Sequence, residues 1–133
     1  MKKKKYDPDK TYKAQYTKNE ELTWQAKFCK IVEAAGGFAE KIEFKAKGGC
    51  PDIMAAIPMG DTFLFEFKMG HMKVDPLQKV IFKRMIAGGF QVICISVYVE
   101  GSTTWFILFN FETGKEIKRC QPSEILDMLW GEE

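Results

Sequence analysis

A chain of 133 residues with 46% hydrophobic and 14% aromatic content can build one core but not two. Its net charge of +2 is close to neutral, and no apolar run approaches the roughly 20 residues that a membrane helix needs. The N-terminal MKKKKYDPDK is positive but has no apolar stretch behind it, which argues against a secretory signal, so the expectation is an intracellular protein.

Residues 1–19 show no hydrophobic periodicity and carry Lys2, Lys3, Lys4, Lys5, Lys10, Lys13 and Lys18 against Asp7 and Asp9. They read as a flexible basic arm, either pairing with phosphates or simply solvated. One domain is expected over residues 20–133. Its first helix follows from an Asn19 cap, acidic residues in the first turn, Trp24, Phe28, Ile31 and Ala35 at helical spacing, and a Gly36-Gly37 stop. Phe38 to Lys45 alternates weakly and predicts a strand. Asp52 to Ile57 and Thr62 to Lys68 predict two strands joined through the PMGD turn.

In the second of these, Phe63, Phe65 and Phe67 share one face, and Leu64, Glu66 and Lys68 the other. Asp75 as cap, Pro76 in the first turn and Gly88-Gly89 as stop define a second helix. The continuous run from Phe90 to Val99 reads as a buried central strand with Thr103 to Phe109 beside it. Ser123 caps a short amphipathic helix, EILDMLW. The order describes an α/β domain, a mixed sheet flanked by helices. The last helix and the strand TTWFILF either close the core or offer a dimer surface.

Charge inside the hairpin carries the chemistry. Glu66 and Lys68 project from one face with Cα atoms roughly 7 Å apart. If the preceding strand pairs antiparallel, Asp52 at its start reaches the same end. Converging carboxylates repel and raise each other's pKa unless a cation neutralises them. Hard oxygen ligands without a His or Cys cluster suit Mg²⁺ or Mn²⁺. The cysteines Cys29, Cys50, Cys94 and Cys120 are too far apart in sequence for a metal pair. They read as reduced thiols, with Cys50 placed to affect Asp52 if oxidised. A metal there acts on phosphate esters, with Lys68 orienting or deprotonating a water or stabilising the transition state.

Pro51-Asp52 followed by Glu66-Phe67-Lys68 resembles the PD-(D/E)xK nuclease superfamily. Within it, GGCPDI, FEFK, DPLQ and AGGFQVICIS are similar to the virus-type replication-repair nuclease (VRR-NUC) domain. The resemblance covers residues 20 to about 100. It implies a restriction-endonuclease-like αβββαβ core and a metal held by Asp52 and Glu66, with Lys68 assisting the attacking water. It adds Gln78 and an acidic residue of the first helix, Glu21 four residues before Gln25, with Glu20 competing. It further implies branched DNA as substrate, such as four-way junctions or flaps, a symmetric homodimer, a viral or mobile-element setting and a role in DNA repair, with no organic cofactor.

Several of these residues also have plain structural roles. Asp75-Pro-Leu-Gln has capping-box spacing, so Gln78 suits a helix cap as well as a site. Acidic residues at Glu20 and Glu21 are ordinary in a first helical turn. Lys41, Lys45 and Lys47 line a nucleic-acid path or solvate a strand edge. Lys73 beside His71 is a candidate phosphate contact, and His71 itself reads as a loop residue. Two alternatives stand beside the nuclease: a non-catalytic nucleic-acid-binding module of the same fold, and a resolvase or restriction-type enzyme with another DNA substrate.

Overall fold

The computed structural model describes residues 18–43 and 48–131, with side chains from Glu20 onward. The basic arm, Lys45 and Lys47 lie outside the described residues. Helix α1 (Lys18–Ala34) leads to strands β1 (Phe38–Lys41), β2 (Ile53–Ala56) and β3 (Thr62–Met69), helix α2 (Pro76–Ala87), and strands β4 (Val92–Glu100), β5 (Thr103–Asn110) and β6 (Lys115–Cys120). A 3₁₀ turn (Pro122–Glu124) and helix α3 (Ile125–Trp130) follow. The strands form one mixed sheet in chain order. Among the described strands only β3 and β4 are parallel, because α2 carries the chain back between them.

Alternation in β3 divides the core. Phe63, Phe65 and Phe67 are buried on one face with Ile95 and Val97 of β4, against Phe28 and Val32 of α1 and Ile125 of α3. Phe28 meets Phe65 and Phe67 edge-on or tilted, at centroid distances of 4.8 and 5.2 Å. On the opposite face, Phe82 of α2 packs with Met72, Val74, Cys94, Ile107, Phe109 and Phe111. The expected αβββαβ core is present, and β5 and β6 extend it. TTWFILF lies between β4 and β6, and α3 packs on the aromatic face, so both segments serve this chain's core.

Several local expectations are corrected. The fully buried stripe of α1 is Gln25, Phe28, Cys29 and Val32, with the expected Trp24 and Ile31 half-buried against the same core, whereas Ala35 is exposed beyond the helix end. The helix begins at Lys18, so Asn19 is inside the first turn rather than its cap. Strand β1 stops at Lys41, short of Lys45. Strand β4 starts at Val92, because the Phe90 N–H bonds back to Met85 O and its side chain is exposed. Ser123 sits within the 3₁₀ turn, where the Glu124 carboxylate accepts from Gln121 N.

Strand β6 was not foreseen. In KEIKRC a solitary Ile117 stands among charges, and that side chain points to solvent. A charged edge strand is how sheets discourage further pairing, so its sequence reads as loop.

The β2–β3 turn carries a small strain. Gly60 N–H donates to Ile57 O, Pro58 takes the second position and Met59 adopts φ 62° in the third, an arrangement of type II. A left-handed non-glycine costs about 1 kcal/mol, partly offset by the greater freedom of glycine in the unfolded chain. Met59→Gly is therefore expected to stabilise the protein by about 0.5 kcal/mol, read as a higher urea midpoint.

Candidate active site

Asp52 is fixed by its own backbone. Its N–H donates to Phe65 O (2.9 Å) and its carbonyl accepts from Ile42 N (2.8 Å), which holds it between β1 and β3 just before β2 begins. Ile53 pairs with Phe65, so one step further in the register Asp52 stands beside Glu66. The preceding turn is packed against α2. Gly49 has φ 80°, and a Cβ there would lie 3.0 Å from Leu77 Cγ and 3.4 Å from Gln78 N. Glycine at this point lets the Pro51-Asp52 segment approach the start of α2.

Glu66 is 3% exposed, and its Oε1 has no hydrogen-bond partner among the described residues. Its Oε2 lies 3.4 Å from Lys68 Nζ. Burial, then the Asp52 carboxylate, pushes Glu66 up to about 7, with Lys68 and Gln78 pulling the other way. Burial likewise raises Asp52 above the usual carboxylate range, against the pull of Lys41, Lys68 and a hydrogen bond from Gln25. Two neighbouring carboxylates, both reluctant to ionise, are the electrostatic mark of a place short of positive charge.

Lys68 Nζ donates to Gln78 Oε1 at 2.9 Å, and the same oxygen accepts from Asp75 N at 3.1 Å. Gln78 N in turn donates to Asp75 Oδ1 at 2.8 Å. The capping box and the lysine contact thus share one amide, so the two readings of Gln78 hold together.

Glu21 reaches the pair indirectly. Gln25 Nε2 lies 3.3 Å from Asp52 Oδ2 and 3.4 Å from Glu21 Oε1. Among the described residues, no three or more His, Cys, Asp or Glu side chains gather closely enough to hold a metal. Gln25, 2% exposed, entered the sequence reading only as the residue four after Glu21 and had no role in the site there. Its signal was available: a polar side chain at i, i+3, i+7 spacing with Phe28 and Val32 on the buried stripe.

Lys73 is exposed in the loop before α2, where its N–H donates to His71 Nδ1. His71 is half-buried, and burial, then Lys68 and Lys73, hold it below its ordinary pKa. Cys50 is half-buried and free, while Cys29, Cys94 and Cys120 are buried thiols. No helix among the described residues is long and apolar enough to cross a membrane.

The fold is a mixed α/β domain, and its nuclease type rests on one structural likeness. The structure is similar to that of a VRR_NUC domain, with 28% sequence identity and a TM-score of 0.51, over 56% of this chain and 82% of that one. No family model and no curated protein matches the chain.

Proposed function

We propose that this chain is a metal-dependent DNA endonuclease that hydrolyses phosphodiester bonds at Asp52, Glu66 and Lys68. The observation that carries the reading is the buried, unbonded Oε1 of Glu66 next to the Asp52 carboxylate and Lys68. A hard divalent cation suits this donor set, and Asp52 and Glu66 would hold it. When bound, Mg²⁺ or Mn²⁺ supplies Lewis-acid neutralisation of charge on a phosphodiester oxygen.

The remaining roles fall to the chain's own side chains. Lys68, steadied by Gln78 Oε1, offers its ammonium to the negative charge that grows as the phosphate is attacked. Gln78 is the positioning residue for that amine. Gln25 orients the Asp52 carboxylate and links it to Glu21, whose negative charge adds to the attraction for a cation. Lys45, Lys47 and Lys73 would contact the DNA backbone, with residues 1–19 as a basic arm on a single domain of 20–133. Preference for branched DNA and a homodimer rest on the resemblance and complete the proposal.

The test incubates the full chain with a four-way junction, a flap, linear duplex and single strands, in Mg²⁺, Mn²⁺ or EDTA, beside Asp52→Ala. Cleavage with either ion, lost in EDTA and in the variant, is expected. No metal-dependent cleavage of any substrate would leave a non-catalytic binding module as the better account. Equal cutting of duplex and junction would remove only the branched preference.

A further inference from the structure

A cleft of about 280 Å³ opens between the loop preceding α2 and the turn joining β5 to β6. Met72 and Phe111, both buried, form part of its floor, while Lys73, Lys79, Glu112 and Thr113 complete much of its wall. Neither Lys73 nor Lys79 has an acidic partner among the described residues. Glu112 is already engaged by Lys83, at 3.5 Å. Thr113 Oγ1 accepts from Lys115 N at 3.2 Å, which leaves its hydroxyl proton to donate.

The wall is built before any ligand arrives. Asn110 Oδ1 accepts from the N–H groups of Glu112 (2.8 Å) and Thr113 (3.3 Å), fixing the turn. Two uncompensated ammonium groups and a hydroxyl donor suit a phosphodiester, whose oxygens accept from both. The place is informative too. Lys79 follows Gln78 on α2, and Lys73 lies on the loop joining Lys68 to that helix, so the cleft and the carboxylate site share one short segment.

We propose that this cleft is a second phosphate subsite, holding a backbone phosphate of the DNA close to the one under attack. The inference rests on the nuclease reading and extends it from one phosphate to two. The subsite aligns the strand and takes no part in bond breaking.

The experiment uses the full chain and its Lys73→Ala/Lys79→Ala variant with fluorescein-labelled duplex and junction DNA. Binding is followed by anisotropy in EDTA across a salt series, and cleavage kinetics are measured in Mg²⁺. The variant should lower the slope of log K against log salt by about 1, the value for one phosphate. It should raise KM about tenfold with kcat unchanged, the mark of lost uniform binding. A Lys30→Ala/Lys118→Ala variant removes equal charge from exposed positions elsewhere and should keep the wild-type slope.

A cleft variant with wild-type slope and KM overturns the subsite while leaving the nuclease standing. So does a control variant that falls as far as the cleft variant. Wild-type protein that binds DNA through the cleft yet cuts nothing upholds the subsite and sinks the nuclease. Protein that binds no DNA sinks both.

Discussion

Glu66→Gln should make the metal-free protein more stable at pH 8 while abolishing its cleavage of DNA. Glu66 is held near 7 rather than its ordinary 4.5, so between those values the folded protein keeps a proton that the unfolded chain has released. That proton-linked stability is fully present below about pH 4.5 and is lost as pH rises through about 7. At pH 8 the loss amounts to roughly 3 kcal/mol, since each pKa unit is worth about 1.4 kcal/mol.

Glutamine keeps the shape and never ionises, so wild-type and variant should diverge as pH rises from 5 to 8. Urea unfolding in EDTA at both pH values measures the divergence, and subtraction removes the contribution of His71, while Asp52, coupled to Glu66, counts with it as one pair. Millimolar Mg²⁺ should then restore wild-type stability at pH 8 and do little for the variant, because a ligand stabilises only the state that binds it. Identical pH slopes in the two proteins would refute the electrostatic account of Glu66.

The second large effect belongs to Lys68. Lys68→Ala should reduce kcat by about 10² to 10⁴, the range for a positioned acid, base or charge in a transition state. KM should move little, because the lysine is committed to Gln78 and Glu66 rather than to the wider DNA surface. Lys68→Arg then separates two modes of action. Arginine preserves positive charge but does not exchange its proton in the accessible range, so activity near wild type assigns the residue to charge stabilisation. A loss equal to that of alanine assigns it to proton transfer. Single-turnover cleavage by Lys68→Ala within threefold of wild type would remove Lys68 from the reaction.

Much of this arrangement was legible before the fold, for reasons that differ by residue. Strand β3 announces itself because strict alternation sends three phenylalanines one way and Glu66 and Lys68 the other, and period two is a geometric property of extended chain. Asp75 and Gln78 are equally local, four residues that close a helix start among themselves. Gln25 was harder. Helical spacing marks its burial, but its partner depends on α1 crossing the sheet so that residue 25 meets residue 52.

Strand β6 escaped because edge strands answer to solvent on one side, which removes the apolar alternation that reveals a strand. The cleft beside it was hidden for the same reason: one of its walls is the turn that β6 creates.

The Oε1 of Gln78 accepts from the Asp75 amide and from the Lys68 ammonium. A single acceptor with two clients makes the first turn of α2 and the reactive amine one thermodynamic unit. Whatever opens that turn releases the lysine, and whatever draws the lysine toward a phosphate tugs on the turn. Amide exchange at Asp75 should therefore report the state of a side chain seven residues earlier in the chain, giving a passive clock for an amine that is otherwise silent.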